Sequence, residues 1–261
     1  MSLSALESNV GAQNTGAVWD VCDEAISKMP KGNRASMRRE LFTWVRECNE
    51  TMEEFQELVD LGVTSEPKEE EDGDDDEGDW DDFCENKGQY DSNEIPIVRS
   101  ILALIKCSRG TLGLVLKAME AAGIEAEKTQ DDTTRSSIFQ WMSNLHETSW
   151  IAGEDVTDLG MLLYPPMSFD SGHVGDKTDD KNLWEHSEIG RKVILQRDCL
   201  SGIIKNIQAS SSEKEGDILI PYSEDILELA SKLSSAVATR ANEAVTAIQS
   251  IPSMEAQMLK D

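Results

Sequence analysis

The chain has 261 residues, 39% of them hydrophobic and 5% aromatic, and a formal net charge of -27. That is enough apolar material for one large domain or two small ones with mostly aliphatic cores. The charge works against direct nucleic-acid binding, which needs Lys and Arg on phosphates, and against docking on anionic lipid; it favours basic partners. No apolar run is long enough to cross a bilayer, and the first thirty residues lack the basic start and apolar block of a signal peptide. The five cysteines (Cys22, Cys48, Cys84, Cys107 and Cys199) are odd in number, scattered and never in a C-x-x-C pair. Such usage fits a reducing compartment, cytosol or nucleus.

Met1–Asn14 is small and polar. A first helix is expected over Thr15–Met29, where Val18, Cys22, Ala25 and Met29 share one face, and Pro30 and Gly32 end it. A second helix is expected from Asn33, as N-cap, to about Leu61. Met37, Leu41, Trp44, Cys48, Met52, Phe55 and Val59 step by three or four along it. A helix this long and one-sided is a bundle element. Gly62 closes it. Arg34, Arg38 and Arg39 form a small basic cluster, too weakly charged for a DNA-binding basic region.

Val63–Asn93 reads as an insert. Between Glu66 and Asp82 there are twelve acids and one Lys, about -11 of the -27. Such a run repels itself and buries nothing, so disorder is expected. Trp80, Phe83 and Tyr90 sit at its end, either as aromatics packing on the next helix or as a linear motif. The spacing from Asp72 does not make a calcium loop, because Glu77 stands where Gly is needed and Phe83 where Glu is needed.

The most apolar stretch is Ile95–Gly123. Asn93 or Ser92 is expected to cap it, with Pro96 in the first turn. One stripe runs through Val98, Leu102, Ile105, Arg109, Leu112, Leu116 and Met119. A second runs through Ile101, Leu104, Ser108, Thr111, Val115, Ala118 and Ala122. Two stripes require two or more neighbouring helices, so this is the central element. Gly110 and Gly113 point to close approach of a neighbour, or else to a kink or groove for a ligand. Ser108 and Arg109 interrupt the stripes at one level, a device that fixes register.

Ile124–Asp132 reads as a polar connection. Helices are then expected over Thr133–Ile151 and Glu154–Leu163, broken at Gly153 and stopped at Tyr164-Pro165-Pro166-Met167. Ser168–Glu185 reads as a linker, Glu185–Ala209 as a helix, Ser210–Gly216 as a loop, Asp217–Pro221 as a short strand and Ser223–Ser250 as the last helix. The whole is all-α: antiparallel helical bundle or bundles with a disordered acidic insert. The segments are 1–62, an N-terminal helix pair; 63–93, the insert; 94–167, the central helices; 168–186, a linker; and 187–251, a C-terminal helix pair.

None of the phosphate-loop, dinucleotide, zinc-protease or serine-hydrolase motifs occurs. His146, His173 and His186 are far apart in sequence, and no Cys has a His near it in sequence. No catalytic, cofactor-binding or metal-ligating residue is assigned, no cofactor is expected, and no residue is assigned to partner binding.

Trp80–Met167 resembles the C-terminal half of the cyclin-D-binding protein family, also called GCIP. The residues that carry the likeness are Ile95–Ser100 at the helix start, Lys106, and above all Asp158-Leu159 leading to Leu163-Tyr164-Pro165-Pro166-Met167. Upstream, Ala17-Val18-Trp19 and Glu53–Leu58 also match, so the likeness spans roughly residues 15–170. The resemblance implies an all-helical, two-domain, non-enzymatic regulator of the cell cycle and transcription in nucleus and cytoplasm. It implies D-type cyclin or helix-loop-helix-type partners, without direct DNA contact. It also implies that most of the family's N-terminal helical region is missing here, leaving the second stripe of Ile95–Gly123 short of partners. A second reading is an adaptor bundle whose acidic insert engages basic proteins such as histones.

Overall fold

The structure is a computed structural model that describes residues 33–62, 88–167, 187–211 and 219–250. The expected helix Thr15–Met29, the acidic run Glu66–Asp82, Trp80, Phe83 and the linker 168–186 lie outside the described residues. Among the described residues there are five helices and no strand, so the all-α expectation holds. They are α1 (Asn33–Asp60), α2 (Glu94–Lys128), α3 (Asp132–Met161), α4 (Glu188–Ala209) and α5 (Glu224–Gln249). The described residues fall into two compact units divided after Glu40. The first contributes only residues 33–40, the opening turns of α1. The second, from Leu41 onward, holds the rest of α1 and the other four helices.

Within the second unit α2 is the hub, touching α3, α4 and α5. Ile97, Val98, Ile101, Leu104, Ile105, Leu112, Leu114 and Val115 are each 0% exposed. Burying eight such side chains gives roughly 12–24 kcal/mol of gross stabilisation before entropy is counted. The second stripe is covered along its whole length, from Ile101 to Ala122. The expectation that it lacks partners is therefore wrong: α3, α4 and α5 supply them. Pairings between α3 and α4 run in opposite directions along the chain: Asp155 with Lys192, Thr148 with Cys199, Trp141 with Asn206. The two helices are antiparallel. By contrast α1 runs parallel to α3, Trp44 lying at Gly153 and Thr51 and Phe55 at Gly160.

Several boundaries differ from the sequence reading. α2 continues through Gly123 to Lys128, because Ala122, Gly123 and Ala126 are buried and their packing outweighs the cost of a helical glycine. Thr129 ends it, its hydroxyl donating to the Glu125 carbonyl at 2.9 Å. Asp131 then caps α3 through the Thr134 N–H at 2.8 Å. The Thr134 hydroxyl, which also donates to this carboxylate, and then the Thr134 N–H hold the Asp131 carboxyl below its usual range. Arg135 reaches back to the Thr129 carbonyl at 2.7 Å and closes the corner.

The two helices expected around Gly153 are one continuous helix, α3. Gly153 does not break it; the missing side chain makes room for the ring of Trp44. The expected strand at Asp217–Pro221 is absent from its described part, where Ile220 is buried and its N–H bonds the Ser210 carbonyl at 2.8 Å. α1 ends as expected, at Gly62 with φ +84°, a conformation that glycine adopts without steric cost.

Candidate interaction site at the Tyr164–Met167 turn

The motif that carries the resemblance proves to be a junction of three helices. α3 ends at Met161, and Leu163 and Met167 turn inward and are buried, while Tyr164 stays half exposed. Three segments converge on this turn. The first is the chain entering α2. The Tyr90 hydroxyl, fully buried, donates to the Leu163 carbonyl at 2.6 Å. Gly88 lies so close to the turn that a Cβ there would stand 2.8 Å from the Pro165 carbonyl oxygen.

The second is the α2 N-terminus, built as a reciprocal capping box. The Asp91 carboxylate accepts from the N–H groups of Asn93 and Glu94, and Glu94 Oε2 accepts from the Asp91 N–H at 2.8 Å. The cap is thus Asp91 rather than the expected Asn93 or Ser92; Asn93 makes no side-chain cap bond. The D-x-x-E spacing was readable, but Asn and Ser stand nearer the apolar run and competed with it. Glu94 is buried, and its other oxygen accepts from the Met167 N–H at 2.6 Å. One carboxylate therefore joins the start of α2 to the end of the turn. The tightly packed surroundings and the nearby Glu94 charge push the Tyr90 phenol well above its ordinary range.

The third is α1. Phe55 is buried with its ring edge-on to Tyr164, centroids 5.0 Å apart. The Tyr164 hydroxyl donates to Glu54 at 2.6 Å, and that bond raises the Tyr164 pKa. Trp44, Thr51 and Phe55 meet α3 where it carries Gly153 and Gly160.

The polar interruption in α2 does what a register device does. Arg109 donates to Asn49 of α1 at 2.8 Å. Ser108 accepts from Gln196 Nε2 of α4 at 2.8 Å, and the same Gln196 amide donates to the Ala152 carbonyl of α3 at 3.0 Å. Four helices, α1 to α4, are thereby indexed at one level. Gly110 behaves as expected: a Cβ would stand 2.9 Å from Leu233 Cδ2 of α5. Gly113 does not, having nothing within 4 Å.

Among the described residues, the titrating side chains assemble no catalytic constellation. Burial pushes the Cys48 thiol up to about 12 and Cys199 to about 11, and raises Cys107. Thiols with raised pKa are poor nucleophiles. His146 is half buried on α3; His173 and His186 lie outside the described residues. Among the described residues no group of three or more His, Cys, Asp or Glu side chains is placed to hold a metal. None of the described helices is long and apolar enough to cross a membrane. A shallow recess of about 550 Å³ lies on one face of α5, between Thr239 and Ser250. Arg34, Arg38 and Arg39 are exposed on the opening turns of α1.

The family model described as Grap2 and cyclin-D-interacting, N-terminal, matches residues 2–61. Residues 2–61 thus resemble the N-terminal region of the GCIP family. The match ends where α1 ends and takes in Trp44, Glu54 and Phe55, the α1 side of the junction. It lies ahead of Trp80–Met167, on which most of the sequence resemblance was read, and it is the family's N-terminal region that is matched. A comparison with curated proteins finds no match.

Proposed function

We propose that this chain is a non-enzymatic helical interaction protein of the GCIP family that restrains cell-cycle progression or transcription by binding other proteins. The partners proposed are a D-type cyclin or a helix-loop-helix-type protein, met in cytoplasm and nucleus. The observation that carries the reading is the family match over residues 2–61, which describes relatives as cyclin-D-interacting. The geometry is consistent with it. Among the described residues, charged and polar side chains form helix caps, the Tyr164–Met167 junction and the Ser108–Gln196 layer. The test is a pull-down of purified full-length chain with a D-type cyclin. Enrichment over an acidic control protein of similar charge is expected; enrichment no greater than the control overturns the reading.

A second reading is favoured by one specific feature, the twelve acids against one Lys from Glu66 to Asp82. It makes the chain an adaptor for basic proteins such as histones. Binding should then fall steeply with salt, because exposed charges are screened over about 8 Å at physiological ionic strength. Deleting Glu66–Asp82 should abolish it, and unchanged binding after the deletion removes this reading.

A further inference from the structure

The exposed large apolar side chains are not scattered evenly. Of the ten among the described residues, five lie on α3 or the turn after it: Phe139, Trp150, Ile151, Met161 and Tyr164. Phe139, Trp150 and Met161 are 50%, 48% and 62% exposed, and each is eleven residues from the next. Eleven residues are about three helical turns, with a drift of only about 20°. The three side chains therefore form one row on the outer side of α3. Its inner side, Ile138, Met142, Leu145, Val156 and Leu159, is buried. Isolated surface apolar residues need no explanation, but an aligned row of an aromatic, a Trp and a Met is the composition of an interface anchor.

The charge around the row is predominantly acidic: Arg135, one turn before Phe139, is paired with Asp132, and Arg46 of α1 with Glu50. From Ser136 to Met167 there is no Lys or Arg. Glu147 and Glu154 are exposed on the same outer side of α3, and Glu54 stands at its end beside Tyr164. The neighbouring part of α1, from Glu47 to Asp60, also carries six acids and no base. Nearby Lys192 is already held by Asp155 and Asp158.

We propose that this face of α3 docks a cationic amphipathic helix of a partner protein, with Trp150 and Met161 as its apolar anchors. This rests on the interaction-protein reading above and adds a surface and a partner chemistry to it. The charge decides among occupants. A second copy would bring the same acids against themselves, the acidic insert would be repelled, and an anionic lipid or nucleic acid would be repelled more strongly. A helix carrying apolar residues at i, i+3 or i+4 and i+7, flanked by Lys or Arg, satisfies both the row and its rim. Phe139 to Met161 spans about 33 Å at 1.5 Å per residue, so roughly six turns of partner helix can lie along it.

The probe is a fluorescein-labelled amphipathic peptide of roughly six turns, with Leu on one face and Lys flanking it, titrated with the full chain. Its counterpart carries Glu in place of Lys. The Lys peptide is expected to bind and the Glu peptide to fail. Replacing both Trp150→Ser and Met161→Ser should weaken binding at least about tenfold, the loss of a buried aromatic anchor, whereas Leu219→Ser, at another exposed apolar side chain, should not. Glu147→Gln with Glu154→Gln should weaken binding and flatten its salt dependence. Trp150→Gln alone serves if the double variant loses helicity. The proposal is overturned if the Trp150 and Met161 variants bind as the parent does. It is also overturned if the Glu peptide binds equally, or if sedimentation shows a dimer that Trp150→Ser removes. A chain that binds the Lys peptide but not cyclin keeps this inference and loses only the choice of partner.

Discussion

Trp44 crosses α3 at Gly153, and the ring occupies the space in which a Cβ at residue 153 would have to sit. That single contact explains why α3 is one helix of 30 residues rather than two. The glycine is selected by a neighbour distant in sequence, and the helix carries the conformational cost because packing on α1 compensates it.

The contact makes a paired prediction about glycines. Gly153→Ala should gain helix propensity, worth about 1 kcal/mol, yet lose more through overpacking, which costs typically 1–3 kcal/mol. Gly113→Ala adds its methyl to open space in α2 and should raise stability by about 0.4–1 kcal/mol. Urea unfolding of the two variants, expected to shift in opposite directions, checks this. A Gly153→Ala chain as stable as the parent would mean that Trp44 moves aside freely. Combined with Trp44→Ala, it should cost less than the sum of the two single losses, since contacting residues couple.

At the Tyr164–Met167 turn, burial ranks the substitutions. Tyr90→Phe leaves the Leu163 carbonyl unpaired in the interior and should cost about 1–3 kcal/mol. Glu94→Ala strips the acceptor from the N–H groups of both Asp91 and Met167 and should cost at least as much. Tyr164→Phe removes a hydrogen bond at the half-exposed edge, where water can replace Glu54, and should cost under about 1 kcal/mol. Amide exchange gives the second readout: Met167 should exchange faster in Glu94→Ala, and hardly change in Tyr164→Phe.

Much of this architecture was legible. The 3.6-residue periodicity of α1 and α2 gave their existence and their buried faces, because a one-sided stripe seven turns long has no other stable use. Two kinds of information were not. Gly123 and Gly153 looked like breakers, since local propensity counts a glycine's cost and cannot see the neighbour that needs the space. The roles of Glu94 and Gln196 were equally hidden, because each is defined by a partner more than seventy residues away. The motif at Tyr164–Met167 was visible as a pattern, but that it clamps α1 and α2 onto α3 depends on Phe55, Tyr90 and Glu94 arriving there. Asp91 was within reach of sequence reasoning, as the first residue of a D-x-x-E capping box.

The layer at Ser108 is expected to follow the asymmetry of buried hydrogen bonds. Ser108→Ala removes one acceptor of the Gln196 amide and should cost about 1 kcal/mol. Gln196 Oε1 is already without a hydrogen-bond partner, so replacing the layer as a whole relieves a standing cost. Ser108→Ala combined with Gln196→Leu should therefore be closer to the parent in stability than Ser108→Ala alone. A double variant that is clearly the less stable, with additive losses in a thermodynamic cycle, contradicts this account. Loss of sharp side-chain NMR dispersion in the double variant would show the layer acting on register rather than on stability.

Stability should be lost on the alkaline side through the buried thiols and phenols. Cys48 is raised from 9.0 to about 12, first by burial and then by Glu47. Cys199 rises to about 11, and the Tyr90 and Tyr222 phenols rise as well, chiefly through burial. For each group the folded state holds its proton more tightly than the unfolded state. The stabilisation is therefore complete below the unfolded pKa and is lost as pH climbs toward the folded one. Their contribution to the unfolding free energy should be level through neutral pH, then fall from about pH 9 by roughly 1.4 kcal/mol per pH unit for each group still protonated only in the folded state. Cys48→Ala should fall less steeply between pH 9 and 12 than the parent, whatever its stability at pH 7. Urea midpoints measured at half-unit steps of pH give both slopes. Identical slopes would mean that the Cys48 thiol titrates in the folded chain as it does in the unfolded one. The same burial predicts that Cys48 and Cys107 resist a thiol reagent at pH 8 until urea unfolds the chain.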